Sequence, residues 1–221
     1  MRALALGLVL LVTAPARADA PPDDPGRTRY LFAPSALLLR GGEVVLSQTE
    51  LVFTSVTLGL GGHATVLAGS VLPALLSGAN GMNLALEVKV GWSAAAIVHL
   101  AAGLETVALP NVAGFYGLAI ITLGRDAWNA TLGAGAPLAA LGTDGAPGPP
   151  LVFAAGSVRA GRHLALATEH WLFPTRPELP LVSAGALRVL AGRLAIGVGA
   201  ARVAPLRVPL PWIDLAVRVG G

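Results

Sequence analysis

Residues 82–92 read MNLALEVKVGW, Met82 to Trp92, and their side chains sort by parity. Leu84, Leu86, Val88, Val90 and Trp92 fall on one half of a two-residue repeat. Asn83, Ala85, Glu87, Lys89 and Gly91 fall on the other. A helix would spread both sets around its axis, whereas a strand sorts them onto two faces. Charged residues are only 12% of the chain, and its mean hydropathy is +0.71. A glutamate and the chain's only lysine, two apart in an apolar run, therefore need a face of their own.

The same rhythm recurs. Leu164 and Leu166 oppose His163, Ala165, Ala167, Glu169 and Trp171. Val98, Leu100, Ala102 and Leu104 oppose His99, Ala101, Gly103 and Glu105. Ile213, Leu215, Val217 and Val219 oppose Trp212, Asp214, Ala216 and Arg218. Each charge falls opposite the branched aliphatics. With one face in lipid this is what physics requires, because a basic residue on the lipid face costs about 2–4 kcal/mol near the bilayer midplane.

The 221 residues suit one domain or two small ones. A hydrophobic content of 54% argues against disorder and for a membrane protein. The net charge of +3 rests on scattered arginines, with no basic run interleaved with aromatics, so nucleic acid is not an expected partner. Without cysteine there are no disulfides and no thiolate metal sites. Residues 1–20 read as a signal peptide: Arg2, the apolar stretch Ala3–Val12, and small residues at Ala18–Ala20. Residues 21–30 form a polar, proline-rich leader, and 31–221 the barrel.

Apolar stretches and turn signals then alternate. The expected strands are 31–39, 43–59, 63–75, 82–91, 95–106, 112–123, 127–138, 151–158, 163–172, 179–189, 193–202 and 211–220. Segments 43–59 and 112–123 alternate least cleanly. Tight connectors (GGH, WSA, GRD, RAGR, AGR) follow every second segment, with mostly longer ones between. Outer-membrane barrels join short periplasmic turns to longer external loops in this way. The fold class expected is all-β: a closed antiparallel transmembrane β-barrel of about 12 strands. Pro34 sits awkwardly in a first strand at 31–39, since it cannot donate to a ladder. The alternative is that 31–39 enters the lumen, leaving ten strands. A polytopic helical inner-membrane protein is the rival architecture, because 51–86 contain no charge and 107–124 approach the length of a membrane helix. Interrupting glycines and Pro110–Asn111 weigh against it.

The stretch Thr28–Leu60, TRYLFAPSALLLRGGEVVLSQTELVFTSVTLGL, resembles the opening of a family of uncharacterised bacterial outer-membrane β-barrel proteins. Arg29, Tyr30, Phe32, Pro34, Ser35, Ala36, Gly42 and Glu43 carry the likeness, with Glu169 and Trp171 of a later Glu-x-Trp segment. The resemblance implies fold and a bacterial outer-membrane location, but no activity. Such barrels commonly end in phenylalanine, where this sequence has Gly221.

No catalytic motif is present. His63, His99, His163 and His170 are dispersed, so no metal or cofactor is expected. A wall-embedded hydrolase would need partners from different strands; His99 with Glu105 or Glu169 and a serine is one such set, though no motif selects it. The inward charges form the candidate site: Glu87, Lys89, Glu105, Glu169, Arg188, Arg193, Asp214 and Arg218. They read either as an ion-pair network filling a narrow lumen or as a pore lining, with Arg188, Arg193 and Arg218 forming a base-rich side. The expected function is a small passive pore or structural barrel without catalysis. Expected partners are outer-membrane lipid, the barrel-assembly machinery and a small solute or ion. A carrier of apolar molecules, suggested by an Ala/Gly-rich inner face, is the alternative. An N-terminal stretch around Tyr30–Pro34 is able to occupy the lumen.

Overall fold

The computed structural model describes residues 23–71, 83–109, 112–142, 148–174, 182–203 and 208–221. Twelve strands run in chain order: β1 (Val44–Thr49), β2 (Phe53–Leu60), β3 (Ala64–Val71), β4 (Leu84–Ala95), β5 (Val98–Leu109) and β6 (Val112–Arg125). They continue as β7 (Trp128–Gly142), β8 (Leu151–Arg159), β9 (Leu164–Leu172), β10 (Val182–Ala191), β11 (Leu194–Val203) and β12 (Leu210–Gly220). Each pairs antiparallel with the next, and β12 returns to β1 to close the barrel. Closure follows from the apolar outer face, because in hydrocarbon every backbone N–H and C=O needs an internal partner and a sheet edge has none.

The faces obey the alternation. On β4, Val88, Val90 and Trp92 are exposed outward, while Glu87 and Lys89 are buried inward. On β12, Ile213, Leu215 and Val219 face out, and Trp212, Asp214 and Ala216 are buried. Trp92 and Trp128 project outward close to the tight-turn end, where amphipathic rings suit a membrane–water boundary. Residues 51–86 hold β2, β3 and the start of β4, so the helical alternative is overturned. Among the described residues no helix is long and apolar enough to cross a membrane.

Tight connections at 61–63, 96–97, 126–127, 160–163 and 192–193 share one end with the start of β1 and the end of β12. The strand count is right, but its bookkeeping needs correction. Leu31–Leu39 is not a wall strand, and segment 43–59 supplies two strands instead of one. The split occurs at Glu50 and Leu51, with φ of 54° and 57°. The Val52 N–H donates to Thr49 O at 3.2 Å to close the turn. Neither residue type favours the left-handed region, so the turn carries no sequence signal. Glu50 is held there by β12: its N–H donates to Ile213 O at 2.8 Å, and its Oε1 accepts from Ile213 N at 2.9 Å. The irregularity of segment 112–123 has a cause too, since the β6–β7 register shifts between Phe115 and Tyr116.

Residues 23–43 thread the lumen. Tyr30, Leu31, Ala33 and Ala36 pack against inward Leu118, Ile120, Phe153 and Trp212 and a set of wall alanines. Small wall residues make this possible. A Cβ on Gly133 would overlap the Phe153 ring, and one on Gly59 would overlap the Arg40 carbonyl where the segment leaves the lumen.

The strained turn yields a test. Replacing Leu51 by glycine should stabilise the barrel by about 0.5–1 kcal/mol, read as a higher urea midpoint in lipid vesicles. A lower midpoint would contradict the assigned turn.

Candidate functional site: a charged lumen and its internal segment

Three buried wall residues grip the N-terminal segment. Lys89, with 1% of its surface accessible, donates from Nζ to Ser35 O at 2.7 Å and Thr28 O at 3.1 Å. Its remaining neighbour is Glu87 Oε1 at 3.7 Å. On the facing wall, the Glu169 Oε2 accepts the backbone N–H groups of Leu31, Phe32 and Ala33 at 3.1, 2.9 and 2.8 Å. Its Oε1 accepts from Trp171 Nε1 at 3.1 Å. Arg188 donates from Nη1 to Asp24 Oδ2 at 2.9 Å and from Nη2 to Tyr30 O at 2.5 Å, with Asp214 Oδ2 at 3.6 Å. Hydrogen bonds to charged groups contribute about 1.5–3 kcal/mol each, so these sites dominate the fixing of the segment.

A chain of hydroxyls adds a fourth hold. Ala36 N–H donates to Thr122 Oγ1 at 2.7 Å, and Thr122 and Thr131 hydroxyls lie 2.6 Å apart. Tyr30 Oη is 2.6 Å from both Thr131 Oγ1 and Asn129 Oδ1. One assignment satisfies every link: Thr122 donates to Thr131, Thr131 to Tyr30, and Tyr30 to Asn129.

Towards the tight-turn end, Arg27 makes a bidentate pair with buried Glu43. Arg218 Nη1 reaches Glu43 Oε1 at 3.2 Å and Asp23 Oδ2 at 3.4 Å. Burial works to raise the Glu43 carboxyl. The hydrogen bonds from Arg27 and the Arg40 N–H, with the charges of Arg27 and Arg218, outweigh it and hold the group below its ordinary range. On the other wall, Arg29 pairs with Glu87 and lies 3.5 Å from Glu105.

Of the eight candidate residues, Glu87, Lys89, Glu105, Glu169, Arg188, Asp214 and Arg218 face the lumen as their parity requires. Arg193 does not. It lies exposed in the β10–β11 turn, where its carbonyl accepts from Arg218 N at 2.8 Å. No base-rich side forms, because Arg188 and Arg218 each face two carboxylates. The partners that sequence reasoning missed, Asp23, Asp24, Arg27, Arg29 and Glu43, all precede β1. Their signal was an unusual density of charge ahead of the first strand.

The hydrolase arrangement does not assemble. His99 Nδ1 does meet a serine, Ser93 Oγ, at 2.8 Å, but its Nε2 faces Gly124 O at 3.1 Å instead of a carboxylate. Glu105 lies six residues along the same strand, roughly 20 Å away at strand rise. Glu169 is committed to the internal segment.

Solved structures share this architecture. The chain is similar to a KdgM porin in complex with disordered oligogalacturonate, with a TM-score of 0.52, 6% identity, and coverage of 80% of this chain and 95% of that one. It is also similar to a NanC porin, with a TM-score of 0.51, 9% identity, and coverage of 80% and 98%. No protein-family model matches the sequence, and no curated protein does.

Two outcomes follow. Glu169→Ala should cost on the order of 3 kcal/mol, since two buried N–H groups and one part-buried one lose their acceptor, while Thr168→Ala on the outer face should cost little. Equal urea midpoints for the two variants would contradict the assigned grip. Acid should also weaken the barrel through Glu43. Its lowered folded-state value supplies stability above the ordinary carboxylate range, near pH 4. That stability is lost as pH falls through the folded value. Unfolding midpoints between about pH 5 and 2 should fall less steeply in Glu43→Gln than in the native chain; parallel curves would refute the assignment.

Proposed function

We propose that this chain is a small bacterial outer-membrane barrel serving as a narrow passive pore without catalytic activity, its section set by its own N-terminal segment. The observation that carries the reading is the closed twelve-strand barrel with most of its strand charges turned inward. The fold shared with two porins supports it, as does an outer face of exposed aliphatic side chains suited to lipid. The resemblance around Arg29–Glu43 supports the same location, with outer-membrane lipid and the assembly machinery as partners. The internal segment turns an open tube into a restricted one: Ala33, Ser35, Ala36 and Leu39 are buried in the space an aqueous channel would take. Because the lining charges are paired, small solutes should pass with weak selection by charge.

Conductance tests this directly. In planar bilayers the full chain should give small or infrequent steps, and deletion of residues 28–39 should give larger, long-lived ones. The deleted protein must first be shown to be a folded, heat-modifiable barrel. Folded deletion protein without steps would favour a structural barrel and overturn the pore.

A further inference from the structure

The internal segment does not fill the lumen evenly. On the side of β1, β2 and β3 it leaves a cavity of about 280 Å³. Thr49, Phe53 and Ser70, which line it, sit near the loop-end tips of those strands, so it reaches toward that end of the barrel. Its floor and sides are largely apolar, including Leu31, Val45, Phe53 and Leu67. Its volume is close to the lower bound of ordinary small-molecule sites.

Two kinds of polar group that reach the cavity matter here. The charges are already opposed: Arg29 stands between Glu87 and Glu105, and Arg188 between Asp24 and Asp214. An ion entering here would be desolvated with no unpaired counter-charge to meet it. The hydroxyls of Ser47, Ser55 and Thr57 differ. They lie on the inward face of β1 and β2, with Ser47 directly opposite Ser55 in register. None has a side-chain hydrogen-bond partner among the described residues. They are unpaired hydroxyls in a wall that is otherwise largely apolar or ion-paired.

We infer that this cavity is a binding site for a small uncharged amphiphile. Such a molecule has roughly nine non-hydrogen atoms in all, taking a volume of ~30 Å³ for each. It carries one or two oxygens for the Ser47, Ser55 and Thr57 hydroxyls. The body packs on Val45, Phe53 and Leu67. The site stands apart from the conductance reading, since it needs only that the internal segment be seated.

The test uses the full chain in detergent and three probes of one shape: 2-phenylethanol, its ammonium analogue 2-phenylethylamine, and phenylacetate. Ligand-observed NMR titration should give saturable binding of the alcohol, with both ions at least about tenfold weaker, a gap of 1.4 kcal/mol or more. Ser47→Phe, which fills the cavity, should abolish saturation and leave only partition into the micelle. Thr57→Val keeps the side-chain shape and should weaken the alcohol about three- to tenfold by removing one hydrogen bond. It also keeps the test decisive if Ser47→Phe fails to fold. Identical uptake by native protein and the filled variant would overturn the site. Equal affinity for an ion and the alcohol would overturn the uncharged class of ligand.

Discussion

Lys89, Glu169 and Arg188 are ionisable groups held almost wholly out of water, and the N-terminal segment supplies most of the hydrogen bonds that satisfy them there. The chain of necessity begins with the bilayer. A backbone in hydrocarbon must close its hydrogen bonds on itself, so strands that cross must form a barrel. Closing the barrel creates an inner face, and alternation delivers to it the charges of the strand interiors, while Arg125 and Arg202 stay on the outward parity only at strand ends. A buried charge without a partner is costly. In this lumen the partners are backbone carbonyls, backbone N–H groups and acidic side chains of residues 23–43.

That dependence runs both ways. The segment has no regular ladder of its own beyond a short bridge between Arg29 and Pro34. Its Tyr30 C=O and its N–H groups at Leu31, Phe32 and Ala33 would be unsatisfied in an apolar lumen, and the wall charges answer them. The alanines and glycines of the inner face play the complementary part by leaving room for Tyr30 and Leu31. An inner face of this composition is therefore better understood as the mould of a resident segment than as the lining of a wide channel. Phe32, edge-on to Trp212 at a centroid distance of 4.6 Å, marks where the segment meets the loop-end side.

Most of the wall was legible because its signal is local: side-chain parity and the alternation of tight and long connectors. Glu87 and Lys89 were placed on the inner face from five residues on either parity. What was not legible is equally physical. Glu50–Leu51 adopts a left-handed turn with no glycine or asparagine to announce it, so β1 and β2 read as one strand. Leu31–Leu39 has a strand-like composition, and only Pro34 hinted that it pairs with no neighbour. Arg193 showed the correct parity but sits where the ladder has already ended. The pairings of Arg27, Arg29 and Asp24 join residues more than 15 positions apart, and periodicity carries no information about them.

The seat of the N-terminal segment is the claim on which the rest stands, and the absence of native cysteine makes it directly measurable. Single cysteines at two adjacent positions, Phe32 and Ala33, should behave oppositely toward a water-soluble maleimide in the folded protein. Phe32 is 46% exposed and Ala33 0%. Phe32→Cys should label within minutes, while Ala33→Cys should label only after unfolding. Rapid labelling at both positions would show that the segment lies outside the barrel, and the account would fail.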